Sequence, residues 1–287
     1  MKNSLLLILA SFSLSLWASP KVIYGEDNRR DVFQANPAYQ KYAQSTLARI
    51  DRNYGLKGWT FNKMWELNTS TLLQDGVCAD EAFSNQPTVA GCTAFLVSPK
   101  HIVTAGHCIG EQSCKVGLYY WLFDYQMPEN GPFLNKKPKK NFVSCERIVK
   151  RVLDPKTHMD YTLIEIKKEV LNREPLKFRR SGKPSIGDEL VVVGHPSGLP
   201  TKIADGAQIR DINDVFLTAN LDTFGGNSGS PVINVNSGEV EGILVRGAND
   251  YVQDTEAGCK RSAHLSNEES YESATLITNI AELMDLN

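Results

Sequence analysis

The stretch Gly225-Gly226-Asn227-Ser228-Gly229-Ser230-Pro231 places a serine among small residues. Glycine tolerates the positive φ angles of a tight turn, and such a turn would leave the Ser228 hydroxyl uncovered. Consecutive N–H groups of the turn can also converge beside the hydroxyl, where they would stabilise an oxyanion. The same residues fit an ordinary loop between two strands. Only a base and an orienting carboxylate elsewhere in the chain can distinguish these alternatives.

Two further motifs supply those groups. His107 stands in the small-residue turn Thr104-Ala105-Gly106-His107-Cys108, directly after the short apolar strand predicted at residues 101–103. Imidazole titrates near neutral pH, so it can take up and return a proton in one cycle. Asp160 opens the apolar run Tyr161–Ile166, and a buried carboxylate there needs a donor such as an imidazole N–H. Taken alone, His107 also fits a structural role.

Nearby residues compete for these roles less well. Asp154 precedes Pro155 in what the sequence indicates is an open turn, and His158 has no small-residue turn around it. We interpret His195, in Gly194-His195-Pro196, as structural. Histidine, aspartate and serine occur along the chain in the order of one known catalytic triad.

The rest of the pattern predicts an all-β protein. From Phe61 onward, short apolar or alternating runs are separated by Gly, Pro, Asn and Asp, which is typical of a barrel or sandwich. Helical spacing predicts a short helix within Pro37–Asp51, starting after Asn36, and another at Ile280–Leu286. The predicted strands are Thr93–Val97, His101–Ala105, Val116–Phe123, Arg147–Leu153, Tyr161–Ile166, Glu189–Val193, Phe216–Ala219, Pro231–Asn234, Val240–Val245 and Ala274–Ile277.

Composition and the first residues predict an exported globular protein. The 287 residues carry a formal net charge of −2, so no broad positive field favours nucleic acid or an anionic membrane. We interpret the basic run at residues 136–140 as a solvated loop. Residues 1–18 resemble a signal peptide, with Lys2, a short apolar run and Ala18 before the cut. In an oxidising compartment the six cysteines predict disulfides. His107, Cys108 and Cys114 lack the spacing of a zinc site, so we expect no metal and no cofactor.

The three motifs together resemble those of trypsin-like (chymotrypsin-fold) serine endopeptidases, and most closely the bacterial glutamyl-endopeptidase-like branch. The resemblance implies two Greek-key β-barrels packed together, followed by a short C-terminal helix. It divides the chain into an N-terminal extension or prosegment at 19–60, a first barrel at about 61–170 and a second at about 175–287.

Carried over residue by residue, the resemblance implies that His107 is the base, Asp160 its orienter and Ser228 the nucleophile. The oxyanion hole would be the N–H groups of Gly226 and Ser228. The implied function is that of a monomeric serine endopeptidase, secreted or periplasmic, acting on proteins or peptides. One alternative is a catalytically silent binding protein. Another is an esterase, although the serine stretch leads into a predicted strand and lacks the strand-to-helix elbow of esterases.

The chain departs from the digestive enzymes at Asn227, where they resemble one another in having an aspartate that pairs with a new N-terminal amine. Val22-Ile23-Tyr24 resembles the mature N-terminus of the bacterial branch. The family also has a disulfide beside the histidine, which implies Cys92–Cys108. For the remaining cysteines we favour Cys114–Cys145 and Cys78–Cys259.

Two residues are candidates for substrate specificity, and they point in opposite directions. Asp222 lies six residues before Ser228, where trypsins resemble one another in carrying a pocket aspartate, and it would favour a basic substrate side chain. Arg246 lies on the strand that pairs with substrate in this family, and it would favour an acidic one. The alternative for Asp222 is a turn residue that bonds its own backbone before Thr223.

Overall fold

The structure is a computed structural model that describes residues 23–60 and 63–286. The predicted signal peptide and Val22 lie outside these residues. The strands are β1 Ile23–Tyr24, β2 Arg29–Asp31, β3 Thr46–Asp51, β4 Leu56–Thr60, β5 Met64–Leu67, β6 Ser70–Thr71, β7 Pro87–Thr88, β8 Thr93–Ser98, β9 His101–Thr104, β10 Tyr119–Leu122, β11 Lys136–Pro138, β12 Phe142–Leu153, β13 Asp160–Ile166, β14 Glu189–Gly194, β15 Lys202–Ile212, β16 Phe216–Ala219, β17 Pro231–Asn234, β18 Val240–Arg246, β19 Tyr251–Asp254, β20 Cys259–Ser262, β21 His264–Leu265 and β22 Glu272–Leu276.

The helices are short. They are α1 Pro37–Ala43, α2 Glu111–Lys115 and α3 Ala281–Met284, with 3₁₀ turns at Val32–Gln34, Gly106–Cys108, Lys139–Asn141, Pro196–Gly198 and Ile277–Asn279. The Asn36 side chain caps α1 by accepting a hydrogen bond from the N–H of Ala38, and Pro37 fits the first turn. In the described part of the chain, no helix is long and apolar enough to cross a membrane.

Twelve of the strands form two closed antiparallel barrels. Barrel 1 runs β3-β8-β9-β13-β12-β10 and closes on β3, while barrel 2 runs β14-β15-β16-β22-β18-β17 and closes on β14. In barrel 1 the fourth strand, β10, returns to pair with the first, β3; in barrel 2, β17 likewise returns to β14. This order is the Greek key. The predicted all-β fold of two Greek-key barrels with a short C-terminal helix is confirmed.

The central strands are apolar on both faces because each barrel buries its interior and also packs against the other barrel. Neighbouring residues on a strand point to opposite sides. Ile102 and Ile164 accordingly fill the interior of barrel 1, while Val103 and Leu163 belong to the core between the barrels. A separate apolar cluster fills barrel 2. The loops that follow β9 and precede β13 and β17 therefore meet along the line between the barrels.

The N-terminal part of the described chain supplies a strand of barrel 1 and pairs with barrel 2, which corrects two predictions. The helix predicted within residues 37–51 ends at Ala43, and Thr46–Asp51 is strand β3 because its side chains are buried between β8 and β10. Barrel 1 therefore begins at Thr46 rather than near residue 61. Upstream, β2 pairs with β15 of barrel 2, so residues 23–60 are not a separate extension.

A buried ion pair fastens this N-terminal segment. Lys202 of β15 is 2% exposed, and its Nζ lies 2.7 Å from Asp31 Oδ1 and 2.8 Å from Gln86 Oε1. Burial lowers the pKa of Lys202 to about 8, and the neighbouring Asp31 carboxylate opposes this shift. Nearby, the buried Arg29 pairs with Asp27 and stacks over the rings of Phe83 and Phe224.

Candidate active site

The serine turn has a conformation that depends on two glycines. Gly226 has a φ of 95° and Gly229 a φ of 90°, values that favour glycine. A Cβ at Gly226 would collide with the carbonyl oxygen of His195, and one at Gly229 with that of Thr93. Thr93 N–H in turn donates to the carbonyl of Ser228 at 2.8 Å. The turn is thus packed against the first strand of the β8–β9 hairpin, and the half-buried Ser228 lies at its tip.

Neutral groups hold the inside of the turn. Asn227 is 2% exposed, its N–H donates to the carbonyl of Phe224 at 2.9 Å, and its Oδ1 accepts from the Ser230 hydroxyl at 3.3 Å. A Cβ at Gly194 would collide with both of these side chains. The buried asparagine is therefore satisfied within its own turn and against β14, without a charged partner.

Two backbone N–H groups of the turn are unused. Among the described residues, neither the N–H of Gly226 nor that of Ser228 has a hydrogen-bond acceptor. The carbonyl of Gly225, which belongs to the same peptide unit as the Gly226 N–H, is held by the N–H of Ser197 at 2.5 Å. This contact fixes the orientation of that peptide unit, and free N–H groups in a fixed orientation can bind an oxyanion.

His107 and Asp160 form a bonded pair. His107 lies in the 3₁₀ turn after β9, and Asp160 is the first residue of β13. Nδ1 of His107 lies 2.7 Å from Asp160 Oδ2, and the His107 backbone N–H donates to Asp160 Oδ1 at 3.1 Å. Asp160 is 5% exposed, whereas the His107 side chain is 37% exposed. A carboxylate bound to Nδ1–H leaves Nε2 free to accept a proton on the open side.

The histidine turn and the serine turn are in contact. Cys108, the residue after His107, has its sulfur 3.5 Å from the carbonyl oxygen of Ser228. No hydrogen bond joins the His107 and Ser228 side chains within the described residues. A long or missing base–nucleophile bond is common without substrate. The structure thus brings the three predicted residues to the junction of the barrels and bonds two of them directly.

A cavity of about 160 Å³ opens beside Ser228. It lies between the serine turn and the facing ends of β18 and β22. Its lining includes Thr223, Phe224, Gly225, Gly247, Asp250 and Glu272.

Asp222 does not line this cavity, so its predicted place at a pocket floor is wrong. Its side chain is 5% exposed and faces the N-terminal segment, where Oδ1 accepts from Tyr24 N–H at 2.7 Å and Oδ2 from Asn28 N–H at 2.8 Å. Burial raises the pKa of Asp222 to about 6, against the lowering effect of these two N–H donors. The carboxylate therefore anchors residues 23–28. The alternative, in which Asp222 bonds the backbone of its own turn, is wrong as well.

Arg246 lies at the cavity but its guanidinium is engaged elsewhere. Nη2 donates to the carbonyl of His158 at 2.7 Å, and the group lies 5.7 Å from the centre of the Phe216 ring. The charge therefore points toward the loop before Asp160 rather than into the cavity.

Glu272, like Asp250, is a cavity residue that the sequence did not indicate. It ends the polar stretch 266–272, which contains three glutamates, and nothing in that stretch distinguishes the buried one. Its side chain is 3% exposed because β22 closes the wall opposite the serine turn.

His195 is structural, in agreement with its interpretation. It is fully buried, with Nδ1 3.0 Å from Thr93 Oγ1 and Nε2 3.1 Å from Thr201 Oγ1. Burial, helped by the nearby charge of Lys202, lowers the pKa of His195 to about 3. A neutral ring between two hydroxyls supports the wall behind the serine turn.

Three disulfides brace the barrels, in the pairs Cys78–Cys259, Cys92–Cys108 and Cys114–Cys145. They are the pairs that the sequence analysis favoured. Cys92–Cys108 ties the start of the β8–β9 hairpin to the turn that carries His107. Cys78–Cys259 joins the loop after β6 to β20, on the barrel 2 side of the molecule.

Removing the bond beside His107 should affect both stability and activity. We expect Cys92→Ala/Cys108→Ala to lower the free energy of unfolding by about 3 kcal/mol, because the bond, with a sequence separation of 16, restricts the unfolded chain. Thermal unfolding and peptidase assays below the melting temperature would measure the two effects. The matched control is Cys114→Ala/Cys145→Ala, which should lower stability similarly but leave more activity. A free, alkylatable Cys92 or Cys108 in the folded protein would show that this disulfide does not form.

Comparisons with known proteins identify peptidases. Residues 92–243, more than half of the chain, match the family described as "Trypsin-like peptidase domain". A glutamyl endopeptidase of Bacillus licheniformis is 25% identical over 156 residues, which cover 52% of this chain and 47% of that protein. A "Probable periplasmic serine endoprotease DegP-like" of Chlamydia pneumoniae is 32% identical over 112 residues, covering 35% of this chain and 22% of that protein. The chain thus matches less than half the length of these curated relatives.

Among solved structures, a Glu endopeptidase in complex with MPD has the same fold. Its TM-score is 0.52 at 14% identity, and the alignment covers 92% of this chain and 98% of that one. The strand order, the bonded His107–Asp160 pair and the glycine-held serine turn agree with these matches. The chain therefore belongs to the trypsin-like peptidase domain family.

Proposed function

We propose that this protein is a serine endopeptidase that acts outside the cytoplasm and cleaves peptide bonds through an acyl-enzyme on Ser228. The observation that carries the proposal is the bonded Asp160–His107 pair, which lies against a serine turn with two N–H groups that have no acceptor among the described residues. The three disulfides and the periplasmic relative support a location that is extracellular or periplasmic.

The first half of the reaction forms the acyl-enzyme. The Ser228 hydroxyl attacks the carbonyl carbon of the substrate, and its proton passes to Nε2 of His107. Asp160 holds the ring through Nδ1–H and stabilises the imidazolium. The N–H groups of Gly226 and Ser228 bind the oxyanion, each contributing roughly 2.7–4 kcal/mol to transition-state stabilisation. His107 then returns the proton to the leaving amine as the C–N bond breaks.

The second half restores the enzyme. His107 takes a proton from a water molecule, whose oxygen attacks the ester carbonyl. The tetrahedral intermediate collapses, Ser228 regains its proton from His107, and the new carboxyl end of the peptide leaves. These steps need protein or peptide substrate and water, and no other cofactor enters them.

The esterase alternative has weaker support. The serine turn leads into strand β17 rather than a helix, so it differs from the strand-to-helix elbow of esterases. A silent binding protein would have no use for a buried carboxylate that orients an exposed imidazole. The Bacillus relative's name indicates cleavage after glutamate. In this protein, the side chain of the residue before the cleaved bond would enter the cavity beside Ser228.

Labelling with a fluorophosphonate tests the nucleophile directly. We expect one covalent adduct per folded molecule, located on Ser228 by peptide mass mapping, together with hydrolysis of a peptide library. The labelling should disappear in Ser228→Ala. A correctly folded protein that takes no label and cuts no peptide would be the silent binding protein.

A further inference from the structure

The cavity beside Ser228 ends on a buried carboxyl group. Glu272, the first residue of β22, is 3% exposed, and its carboxyl group lies directly against Gly247 at the end of β18. A Cβ at position 247 would overlap both carboxyl oxygens. The glycine therefore makes the space that lets a carboxyl group form part of the cavity wall.

Among the residues that the structure describes, only neutral groups bind this carboxyl. The Thr223 hydroxyl donates to Oε2 at 2.5 Å, and the Ala248 N–H donates to Oε1 at 3.2 Å. No lysine, arginine or histidine among the described residues forms an ion pair with Glu272. The charged groups close enough to act on its pKa are Asp250 and Asp222, and both are acidic. A buried carboxyl without a counter-ion is costly, and its pKa is raised to about 8 mainly by burial.

The cations of this region are already engaged. Arg29 is 2% exposed and pairs with Asp27 at 2.7 Å. Its guanidinium also stacks on Phe224, which lines the cavity, at 4.1 Å from the ring centre. Arg246 bonds to the carbonyl of His158. Neither guanidinium neutralises Glu272.

A second carboxylate stands on the serine side of the cavity. Asp250 is half-buried, and its Oδ2 accepts from the Gly225 N–H at 2.7 Å. The walls between the two carboxyl groups include the buried side chains of Phe224 and Leu244. Apolar walls suit a methylene stem, and the acidic groups suit the charged end of a lysine or arginine.

Resting on the proposed function, we propose that Glu272, assisted by Asp250, selects lysine or arginine at the substrate residue whose carbonyl Ser228 attacks. A basic side chain supplies the counter-ion that Glu272 lacks, whereas a glutamate side chain would meet two carboxyl groups and no free cation. This specificity is opposite to the one that the Bacillus relative's name indicates.

The test uses peptides that differ only in the residue before the cleaved bond, which is Lys, Arg, Glu or Leu. Wild type should cleave after Lys and Arg with kcat/KM about 100-fold above the Glu peptide. Glu272→Gln should lose about 100-fold on the Lys and Arg peptides while its rate on the Leu peptide changes little. Glu268→Gln, the same substitution at an exposed position before β22, should behave as wild type.

Two readouts separate this proposal from the proposed function. A fluorophosphonate adduct on Ser228 reports the nucleophile whatever the specificity, so its absence counts against the endopeptidase. Labelled wild type that cleaves after Glu, or a Glu272→Gln protein that keeps the preference for Lys and Arg, would overturn the role of Glu272. If Glu272→Gln does not fold, Glu272→Asp serves instead: its shorter side chain should shift the preference from Lys toward the longer Arg, and an unchanged ratio of the two rates would overturn the role of Glu272.

Discussion

Replacing Ser228 by alanine is expected to lower kcat on peptide substrates by a factor on the order of 10⁶ and to leave the fold intact. The contacts that hold the turn come from the backbone of Ser228 and Gly229 and from the Asn227 side chain. The Ser228 hydroxyl makes no hydrogen bond within the described residues, so its loss should not change the melting temperature. Peptide hydrolysis and thermal unfolding measure the two quantities.

The neighbouring serine is the matched control. Ser230 is fully buried and its hydroxyl bonds to Asn227, so Ser230→Ala should reduce stability modestly while keeping most of the activity. His107→Ala should cost about as much activity as Ser228→Ala, and the double variant little more, because the two groups act as one unit. Ser228→Ala protein that retained most of its hydrolysis would show that another residue is the nucleophile.

Replacing Asp160 by asparagine is expected to lower kcat by about 10⁴-fold with little change of structure. Asparagine can still accept from the His107 backbone N–H through its oxygen. Its NH₂ group would then face Nδ1, which favours the tautomer with the proton on Nε2. In that tautomer Nε2 can no longer accept the proton of Ser228. Comparison of kcat with the melting temperature separates this effect from loss of fold.

Asp154→Asn is the control for that experiment. Asp154 lies six residues upstream in a turn, where its carboxylate accepts from Lys156 N–H and from the Thr157 hydroxyl. These bonds are local and do not reach His107. We expect a change in kcat of no more than a few-fold, and a loss as large as that of Asp160→Asn would put the orienting carboxylate in doubt.

The local sequence predicted the candidate catalytic residues well, because each of them lies in a short motif that also fixes the local backbone. The turn after β9, the first residue of β13 and the glycines around Ser228 are each recognisable within a few residues, and the alternating or doubly apolar runs correspond to strands. Leu47 and Ile50 were assigned to a helix because their spacing fits one, but both lie in β3. The strand is decided by β8 and β10, its distant partners, and not by the residues within it.

Two other failures have the same physical origin. Strand β15 was not predicted, since Lys202, Asp205 and Arg210 make it look like a polar loop. In the described part of the chain, Lys202 forms its ion pair with the distant Asp31. Asp222 was expected at the cavity and Glu272 was overlooked, because burial by distant segments decides which carboxylate faces the cavity. The N–H groups that hold Asp222 come from residues 24 and 28, far from it in sequence. Patterns within one segment carry no information about such contacts.

The pairing of β2 with β15 has a consequence for the order of folding. The Lys202–Asp31 contact spans 171 residues, and every strand of barrel 1 lies between its two ends. Closing so long a loop adds little to the free-energy cost of folding but slows the search for the native contact. During synthesis the segment with β1 and β2 leaves the ribosome before barrel 1, whereas its partner strands, β21 and β15, leave after barrel 1. The last strand of barrel 1, β13, is synthesised before either of these partner strands. We therefore expect the contact of Arg29 with Phe224 and that of Tyr24 with Asp222 to be among the last to form.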